Sequence, residues 1–352
     1  MAQQRWHILT MADEAENQGK VQGFRPHAQA IETVVPYRQH EPDVPVAPLV
    51  FSSPHSGRHY PAHFLAASRL DRTTLRASED FFVDDLFAPC VELGLPLIAA
   101  NYPRAYVDLN REPFELDQRM FFDKLPSHAN TRSVRVAGGL GTVARVVSEN
   151  REIYTSPIST VEAFDRIEHV YRPFHDALRR TLARTHVAFG RSILIDCHSM
   201  PSGPRSSGRG SGKATGKGAG KATRDPGKRS KLSTPAIMRS SNRSEFVLGD
   251  RYGTSCAPAL TDTAQACLRD MGYSVARNKP YAGGFITEHY GRPGKGLHAL
   301  QIEINRALYV DEETLQPTEG FAQLRADLIS LVRSLIAVSE EIDSNAMPLA
   351  AE

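Results

Sequence analysis

The sequence has few cysteines and no pairing pattern among them. Its 352 residues include four cysteines, and no two of these have the C-x-x-C spacing of thiolate metal sites: Cys90, Cys197, Cys256 and Cys267. Disulfide-stapled secreted domains are much richer in cysteine, so we expect a reducing, cytoplasmic location. The lack of C-x-x-C spacing also argues against a thiolate zinc site.

Long apolar runs are also absent. The run Pro96–Ala100 is among the longest, and it falls far below the ~20 residues that a membrane-spanning helix needs. The N-terminus has no basic region followed by an apolar one, so we expect no membrane association and no secretory leader. No internal repeat is visible. The pair Gly283-Gly284 is not followed by Lys-Ser or Lys-Thr, which excludes a phosphate-binding loop.

An excess of one charge occurs in a single segment. Residues 203–231 hold nine of the 42 basic residues and one of the 40 acidic ones, which leaves a net charge of −6 elsewhere. The segment has no aromatic residue and no apolar side chain larger than Ala, so we predict a disordered surface insertion. A nucleic-acid tether is the alternative, since Lys and Arg neutralise phosphates. The lack of aromatic residues that stack on bases makes nucleic acid an unlikely partner.

The remaining pattern predicts a single α/β domain over 47–343, after an N-terminal arm over 1–46 and before a flexible tail over 344–352. Short apolar runs predict strands at 47–53, 97–101, 105–109, 192–196 and 298–304. Apolar residues at three-to-four spacing predict helices at 71–93, 160–188, 257–272 and 318–342. Strands and helices in this alternating order favour an α/β sheet with helices on both sides.

Two of the predicted strands end in histidine. His55 follows the first strand. Asp196 ends the strand at 192–196, and His198 comes two residues later. Ligand sites in such sheets lie beyond the carboxyl ends of the strands. Two histidines and one carboxylate make the open three-ligand zinc site of hydrolases, in which the fourth position keeps a water. The alternative for each histidine is a hydrogen-bonded structural role.

The candidate carboxylates are Glu79 and Asp80, at the start of a predicted helical stretch that also contains Asp84. Asp80 and Asp84, four residues apart, share a helix face. Ordinary acidic capping after Ser78 explains the same residues without a metal.

Three further segments bear groups suited to chemistry. Arg111 and Asn110 follow the strand at 105–109 and offer donors for a substrate carboxylate, unless Arg111 only pairs with Asp108 or Glu112. Glu303 lies among apolar neighbours, where a charged side chain is either paired or serves as a general base. The glycine-punctuated segment 281–293 is typical of an active-site loop, although such a turn needs no function.

Six motifs in this order and spacing resemble the N-formylglutamate amidohydrolase family over about residues 47–340. They are the segments 53–57 (SPHSG), 79–84 (EDFFVD), 108–113 (DLNREP), 196–199 (DCHS), 283–293 (GGFITEHYGRP) and 301–303 (QIE). The resemblance implies a three-layer α/β/α, phosphorylase/hydrolase-like fold with a mixed sheet, as in the related zinc carboxypeptidases and aspartoacylases. It also implies hydrolysis of N-formyl-L-glutamate to formate and L-glutamate, typically the last step of histidine degradation.

Site residues are carried over from the family one by one. The resemblance places one zinc ion, or another divalent metal, on His55, Asp80 and His198, and the general base on Glu303. Asp80 is preferred to Glu79 because it occupies the family's aspartate position. The position three residues after the first histidine, acidic in carboxypeptidases, is Arg58 here.

The resemblance also implies the substrate contacts. These are Arg111 with Asn110 as the carboxylate clamp, Arg104 as a second candidate, and Gly284 and His289 in the segment 281–293. The basic insertion and the segment 114–150 depart from the family pattern and leave the acyl group open. A sibling deacylase or carboxypeptidase acting on another N-acyl amino acid or peptide is therefore an alternative. A non-enzymatic binding protein that uses the insertion is another. The oligomeric state is not predicted.

Overall fold

A computed structural model describes residues 34–147, 150–203 and 244–342. Described residues from Val35 onward belong to one compact unit. The predicted basic insertion after its first residue, most of the N-terminal arm and the C-terminal tail lie outside the described residues. No described helix combines the length and the apolar character required to cross a bilayer.

A mixed seven-stranded sheet with the strand order β1-β3-β2-β6-β9-β7-β8 forms the centre of the fold. The strands are β1 (Tyr37–His40), β2 (Leu49–Ser53), β3 (Leu97–Ala100), β4 (Val146–Val147), β5 (Arg151–Glu152), β6 (Ser192–Met200), β7 (Phe246–Gly249), β8 (Val275–Arg277), β9 (Leu297–Asn305), β10 (Val310–Asp311) and β11 (Gln316–Pro317). The strands β3, β2, β6 and β9 are parallel to one another. The strand β1 joins β3 antiparallel, and β7, which is parallel to β8, joins β9 antiparallel. The two small pairs β4–β5 and β10–β11 lie outside this sheet.

Helices flank the sheet, which confirms the predicted α/β class. They are α1 (Ala62–Ala67), α2 (Arg72–Arg76), α3 (Val83–Phe87), α4 (Pro89–Glu92), α5 (Val134–Ala137), α6 (Thr160–Arg166), α7 (Arg172–Phe189), α8 (Pro258–Asp270), α9 (Phe285–Tyr290) and α10 (Gly320–Glu341). A π-helical turn, Ile167–Tyr171, joins α6 to α7, and 3-10 turns occur at Gln118–Met120, Pro293–Lys295 and Arg306–Leu308.

The central strands β6 and β9 separate core residues from site residues. Successive side chains of a strand point to opposite faces of the sheet. On β6, Ile193, Ile195 and Cys197 belong to the main hydrophobic cluster, which also holds the buried face of α10. The intervening residues Asp196 and His198 therefore project from the other face.

Three predicted segments have a structure that differs from the prediction. Residues 105–109 form turns instead of a strand, because the N–H groups of Tyr106 and Val107 both donate to the carbonyl of Pro103. The predicted helix over 71–93 is divided into α2, α3 and α4. Phe82, at a left-handed φ of 55°, and the bond from the Asp80 N–H to the carbonyl of His55 (3.0 Å) interrupt it.

The third difference lies in the predicted N-terminal arm. Residues Tyr37–His40 of that arm form β1, an edge strand that pairs with β3. The short strands β7 and β8 and the short helix α9 were also not predicted.

Candidate metal centre and active site

The three predicted metal ligands meet at the carboxyl ends of β2 and β6. His55, Asp80 and His198 are all buried, and one ligand atom from each lies within 4.8 Å of the others. Asp80 Oδ2 is 2.9 Å from His198 Nδ1 and 3.3 Å from His55 Nδ1. Three segments far apart in sequence thus bring two imidazoles and one carboxylate to a single point.

Each imidazole is held from behind by a second carboxylate. His55 Nε2 lies 2.7 Å from Asp108 Oδ1, and His198 Nε2 lies 2.9 Å from Asp196 Oδ2. Such partners fix the tautomer and ring orientation of metal-binding histidines. Asp196, two residues before His198 on β6, is thus placed to orient that ring. Asp108 was not predicted as the partner of His55, because the sequence indicated a strand through its position.

The donor set fits a cation. Burial alone would raise the pKa of Asp108, yet Arg104 and Arg111 hold it well below its usual value, so its carboxylate is an acceptor beside His55 Nε2. His55 Nδ1 faces Asp80 Oδ2 at 3.3 Å and has no hydrogen-bond partner among the described residues. A cation held between this buried nitrogen and the carboxylate would satisfy both.

Asp80, not Glu79, supplies the carboxylate. Burial would raise the pKa of Asp80, but the neighbouring imidazoles of His198 and His55 hold it well below its usual value. Its other oxygen receives a long hydrogen bond of 3.4 Å from Ser199 Oγ. The carboxylate of Glu79 instead accepts hydrogen bonds from Tyr60 (2.7 Å) and Arg76 (3.1 Å), on the opposite side of the chain.

Glu303 lies beside the candidate metal centre. It occupies the position on β9 that is in register with His198 on β6. Gln301 Nε2 donates to Glu303 Oε1 at 2.8 Å and fixes the carboxyl. Burial raises the pKa of Glu303 to about 7, the positive charge of His198 opposes this shift, and Asp80 adds to it. A carboxyl that titrates near neutrality suits a general base.

A cavity of about 550 Å³ contains this centre. It is lined by every predicted site residue except His289: His55, Asp80, Arg104, Asn110, Arg111, His198, Gly284 and Glu303. The ring of His289 packs on that of Phe285, with centroids 5.0 Å apart, so the structure does not bring this predicted substrate contact to the cavity. The physical reason is that α9 turns this residue towards Phe285 and Tyr290.

The two predicted arginines share one counter-charge. Arg104 Nη2 donates to Asp108 Oδ2 at 2.8 Å, and Arg111 Nη2 lies 3.5 Å from the same oxygen. Burial opposes the charge of Arg104, but Asp108, Asp80 and Glu303 raise its pKa above the usual value. Arg104 is therefore close to the candidate metal centre. The sequence left two alternatives for Arg111, pairing with Asp108 or a position at the substrate site. In the structure Arg111 both lies near Asp108 and lines the cavity.

Asn110 connects the cavity wall to the metal centre. Its Oδ1 accepts from the Ile286 N–H at 2.7 Å, and its Nδ2 is 3.2 Å from His198 Nε2. A Cβ at Gly284 would overlap with this amide, so the glycine permits a close approach. The Gly284 N–H donates to Gln301 Oε1 at 2.8 Å. The amide of Asn110 is thus engaged by the protein itself.

Sequence reasoning missed two further residues around the centre. Arg306 donates to the carbonyls of Ala77 (3.1 Å) and Glu79 and lies 3.5 Å from Asp80 Oδ1, so it fixes the break between α2 and α3. Arg135, from α5, lines the cavity beside Arg111. Neither residue lies in one of the six motifs, and nothing in its local pattern signals a site.

Comparisons with known proteins agree with the site. Residues 47–310 match the family model described as N-formylglutamate amidohydrolase. The chain is 28% identical to the N-formylglutamate deformylase of Pseudomonas aeruginosa, over 82% of this chain and 90% of that relative. It is 27% identical to the N-formylglutamate deformylase of Pseudomonas putida, over 84% and 94%.

Solved structures are also similar. The crystal structure of an N-formylglutamate amidohydrolase from Ralstonia eutropha has 32% identity and a TM-score of 0.71, covering 88% of this chain and 99% of that one. A gene product of Agrobacterium tumefaciens, with 17% identity and a TM-score of 0.55, shares the fold over 86% of this chain and 94% of its own.

Proposed function

The chain belongs to the N-formylglutamate amidohydrolase family, and on that premise we propose that it hydrolyses N-formyl-L-glutamate to formate and L-glutamate. The convergence of His55, Asp80 and His198 beside Glu303, in one cavity with arginines, is the observation that carries the proposal. These groups form a cation site, a base of near-neutral pKa and a carboxylate clamp, all of which this reaction needs.

The ligand set favours one zinc ion, since two histidines and a carboxylate with an open position are typical of catalytic zinc. When bound, a divalent ion supplies a water of lowered pKa and polarises the formyl carbonyl. His55, Asp80 and His198 would hold the ion. Asp108 and Asp196 keep both imidazoles oriented with Nδ1 inward.

Glu303 moves the proton in this mechanism. Its carboxylate takes a proton from the attacking water and delivers it to the nitrogen as the C–N bond breaks, so formate and the free amine of glutamate leave. The hydrogen bond from Gln301 holds the carboxyl in place for both transfers. Arg104, which lies close to Asp80 and Glu303, stabilises the negative charge that develops on the formyl oxygen.

Arg111 orients the substrate. Its guanidinium lines the cavity and is fixed by hydrogen bonds to the carbonyls of Leu140 (2.9 Å) and Asn110 (2.7 Å). A guanidinium held in this way can meet the α-carboxylate of an N-formyl amino acid in a defined orientation. Asn110 acts by holding the first turn of α9 in position, because its Oδ1 accepts from the Ile286 N–H.

Three finer assignments complete the proposal. We assign the fold to the three-layer phosphorylase/hydrolase-like class of the zinc carboxypeptidases, supported by the mixed sheet and its flanking helices. Four free cysteines support a reducing compartment such as the cytoplasm. We place the reaction in histidine degradation, because the family resemblance implies that pathway.

The test measures formate release together with metal content. Purified protein is stripped with a chelator, reloaded with Zn²⁺ and assayed with N-formyl-, N-acetyl- and N-succinyl-L-glutamate. We expect formate release from the first substrate only, restored by the metal, and we expect His198→Ala to lose both metal and activity. Faster release of acetate or succinate would favour the sibling deacylase, and a zinc-loaded protein inactive on all three would refute the proposal.

A further inference from the structure

Besides Arg306, three arginines line the cavity that contains the candidate metal centre: Arg104, Arg111 and Arg135. Asp108, the partner of His55, contacts both Arg104 and Arg111. Arg135, from the short helix α5, lies near Arg111 through Leu140, whose N–H donates to the carbonyl of Arg135 at 2.8 Å and whose carbonyl accepts from Arg111 Nε at 2.9 Å. The charge of Arg135 also lowers the pKa of Arg111. Arg111 therefore has both Arg104 and Arg135 as neighbours.

Arg135 is loosely paired with the protein. Its Nη1 lies 3.7 Å from Glu115 Oε2, which is longer than a hydrogen bond. Consistent with this, Glu115 Oε2 is buried and has no hydrogen-bond partner among the described residues. A guanidinium has five N–H donors, so this contact leaves donors of Arg135 available at the cavity wall.

Arg104, Arg111 and Arg135 share two carboxylates, those of Asp108 and Glu115, so these groups leave one positive charge for an anion. Burial lowers the pKa of Arg111, and the nearby charges of Arg104 and Arg135 lower it further, against the opposing effects of Asp108 and Glu115. Repulsion between Arg111 and Arg135 is relieved when a carboxylate binds between or beside them. Two guanidinium groups in sequence along the wall match two carboxylates of one ligand.

The wall beside these arginines is apolar. Ala144 and Val146, both buried, line the cavity in the same region of the chain as Arg135. Methylene groups between two carboxylates would contact such a wall, as the side chain of a glutamyl group requires.

We propose that Arg135 binds the side-chain carboxylate of an acidic N-formyl amino acid, while Arg111 binds its α-carboxylate. This inference rests on the proposed hydrolysis and names the residue that distinguishes an acidic side chain of the substrate from a neutral one. Arg135 is then a specificity-determining residue that lies outside all six family-like motifs.

The experiment compares a charged substrate with its neutral isostere. Steady-state kinetics are measured for wild type, Arg135→Gln, Arg135→Lys and a matched control, Arg132→Gln, whose exposed side chain does not line the cavity. The substrates are N-formyl-L-glutamate and N-formyl-L-glutamine. Arg135→Gln should lower kcat/KM for the glutamate substrate by about 10- to 100-fold, mainly through KM, which is the worth of a hydrogen bond to a charged group.

The glutamine substrate should change by less than about threefold in Arg135→Gln. Arg135→Lys should regain part of the loss, and Arg132→Gln should behave as wild type. Equal losses on both substrates would show a structural role and overturn the proposal, as would no loss on either.

A binding measurement separates this inference from the proposed function. Zinc-loaded wild type and Arg135→Gln are titrated calorimetrically with glutarate and with its monoamide. Tighter binding of glutarate by wild type, lost in Arg135→Gln, would support the subsite even if neither substrate were hydrolysed. Equal affinity of both proteins for glutarate would overturn it even in an active enzyme.

Discussion

Replacement of Glu303 by Gln tests two effects of this carboxyl: its part in the reaction and its effect on the free energy of unfolding. Glutamine keeps the shape of the side chain and the oxygen that accepts from Gln301 at 2.8 Å. It removes the proton-accepting group, so we expect turnover to fall by about 10²- to 10⁴-fold, the usual contribution of a general base. Metal content should stay unchanged, since His55, Asp80 and His198 are intact.

The same variant should be more stable than wild type at neutral and alkaline pH when metal is absent. Burial raises the pKa of Glu303 from 4.5 to about 7. This shift corresponds to about 3 kcal/mol, the free energy that the native state loses when the buried carboxyl ionises. A raised pKa contributes stability that is fully present below pH 4.5 and is lost as the pH rises through 7.

The assay is urea unfolding of chelator-treated wild type and Glu303→Gln between pH 5 and 8. The free energy of unfolding of the variant, relative to wild type, should rise by up to about 3 kcal/mol over this range. Other groups titrate in both proteins, so the difference isolates Glu303. A matched control is Glu168→Gln, whose half-exposed side chain on the π-helical turn takes no part in the site and should leave turnover unchanged.

Two results would refute this reasoning. Parallel pH profiles of stability for wild type and Glu303→Gln would show that the carboxyl has no raised pKa in the native protein. Undiminished formate release by the variant would remove Glu303 from the reaction altogether.

Three further predictions test other parts of the site. Arg111→Gln should raise KM for N-formyl-L-glutamate by about 10-fold or more with little change in the unfolding midpoint; an unchanged KM would place the α-carboxylate elsewhere. Asp108→Asn should weaken zinc binding by about 10- to 100-fold, because it removes the negative charge that contacts His55 Nε2. A competition titration with a chromogenic chelator measures this affinity, and equal affinity would show that His55 is oriented without that charge. Gly284→Ala should lower kcat at unchanged zinc content, because the added Cβ overlaps with the amide of Asn110, and full activity would show that this contact can relax.

The sequence predicted the four residues that converge at the candidate centre, because each lies near the end of a central strand or in a family-like motif. Such strands are specified by long buried runs, as in β6, where all nine residues are buried. The edge strand β1 and the strand β8 are short and partly exposed, and β7, although buried, has four residues and ends in glycine. Their pairing is decided by neighbours distant in the sequence, which a local pattern does not reveal.

The partner of His55 was hidden for a related reason. Residues 105–109 have the apolar character of a strand, but Pro103 accepts hydrogen bonds from the following N–H groups and converts the run into turns. Asp108 then reaches His55 across 53 positions of sequence. Arg135 was missed because it lies on a four-residue helix in a segment without recognisable motifs.

The registered pair of His198 and Glu303 sits on adjacent parallel strands in the middle of the sheet, whereas Arg111 and Arg135 are carried by turns and a short helix at its rim. Interior strands open only in near-global unfolding events, while rim segments tolerate replacement and insertion. Under the proposed roles, bond cleavage and the choice of amino acid thus depend on separate parts of the molecule that can be mutated independently. A lineage can exchange one acyl amino acid for another by remodelling the rim, with the reacting pair left as it was.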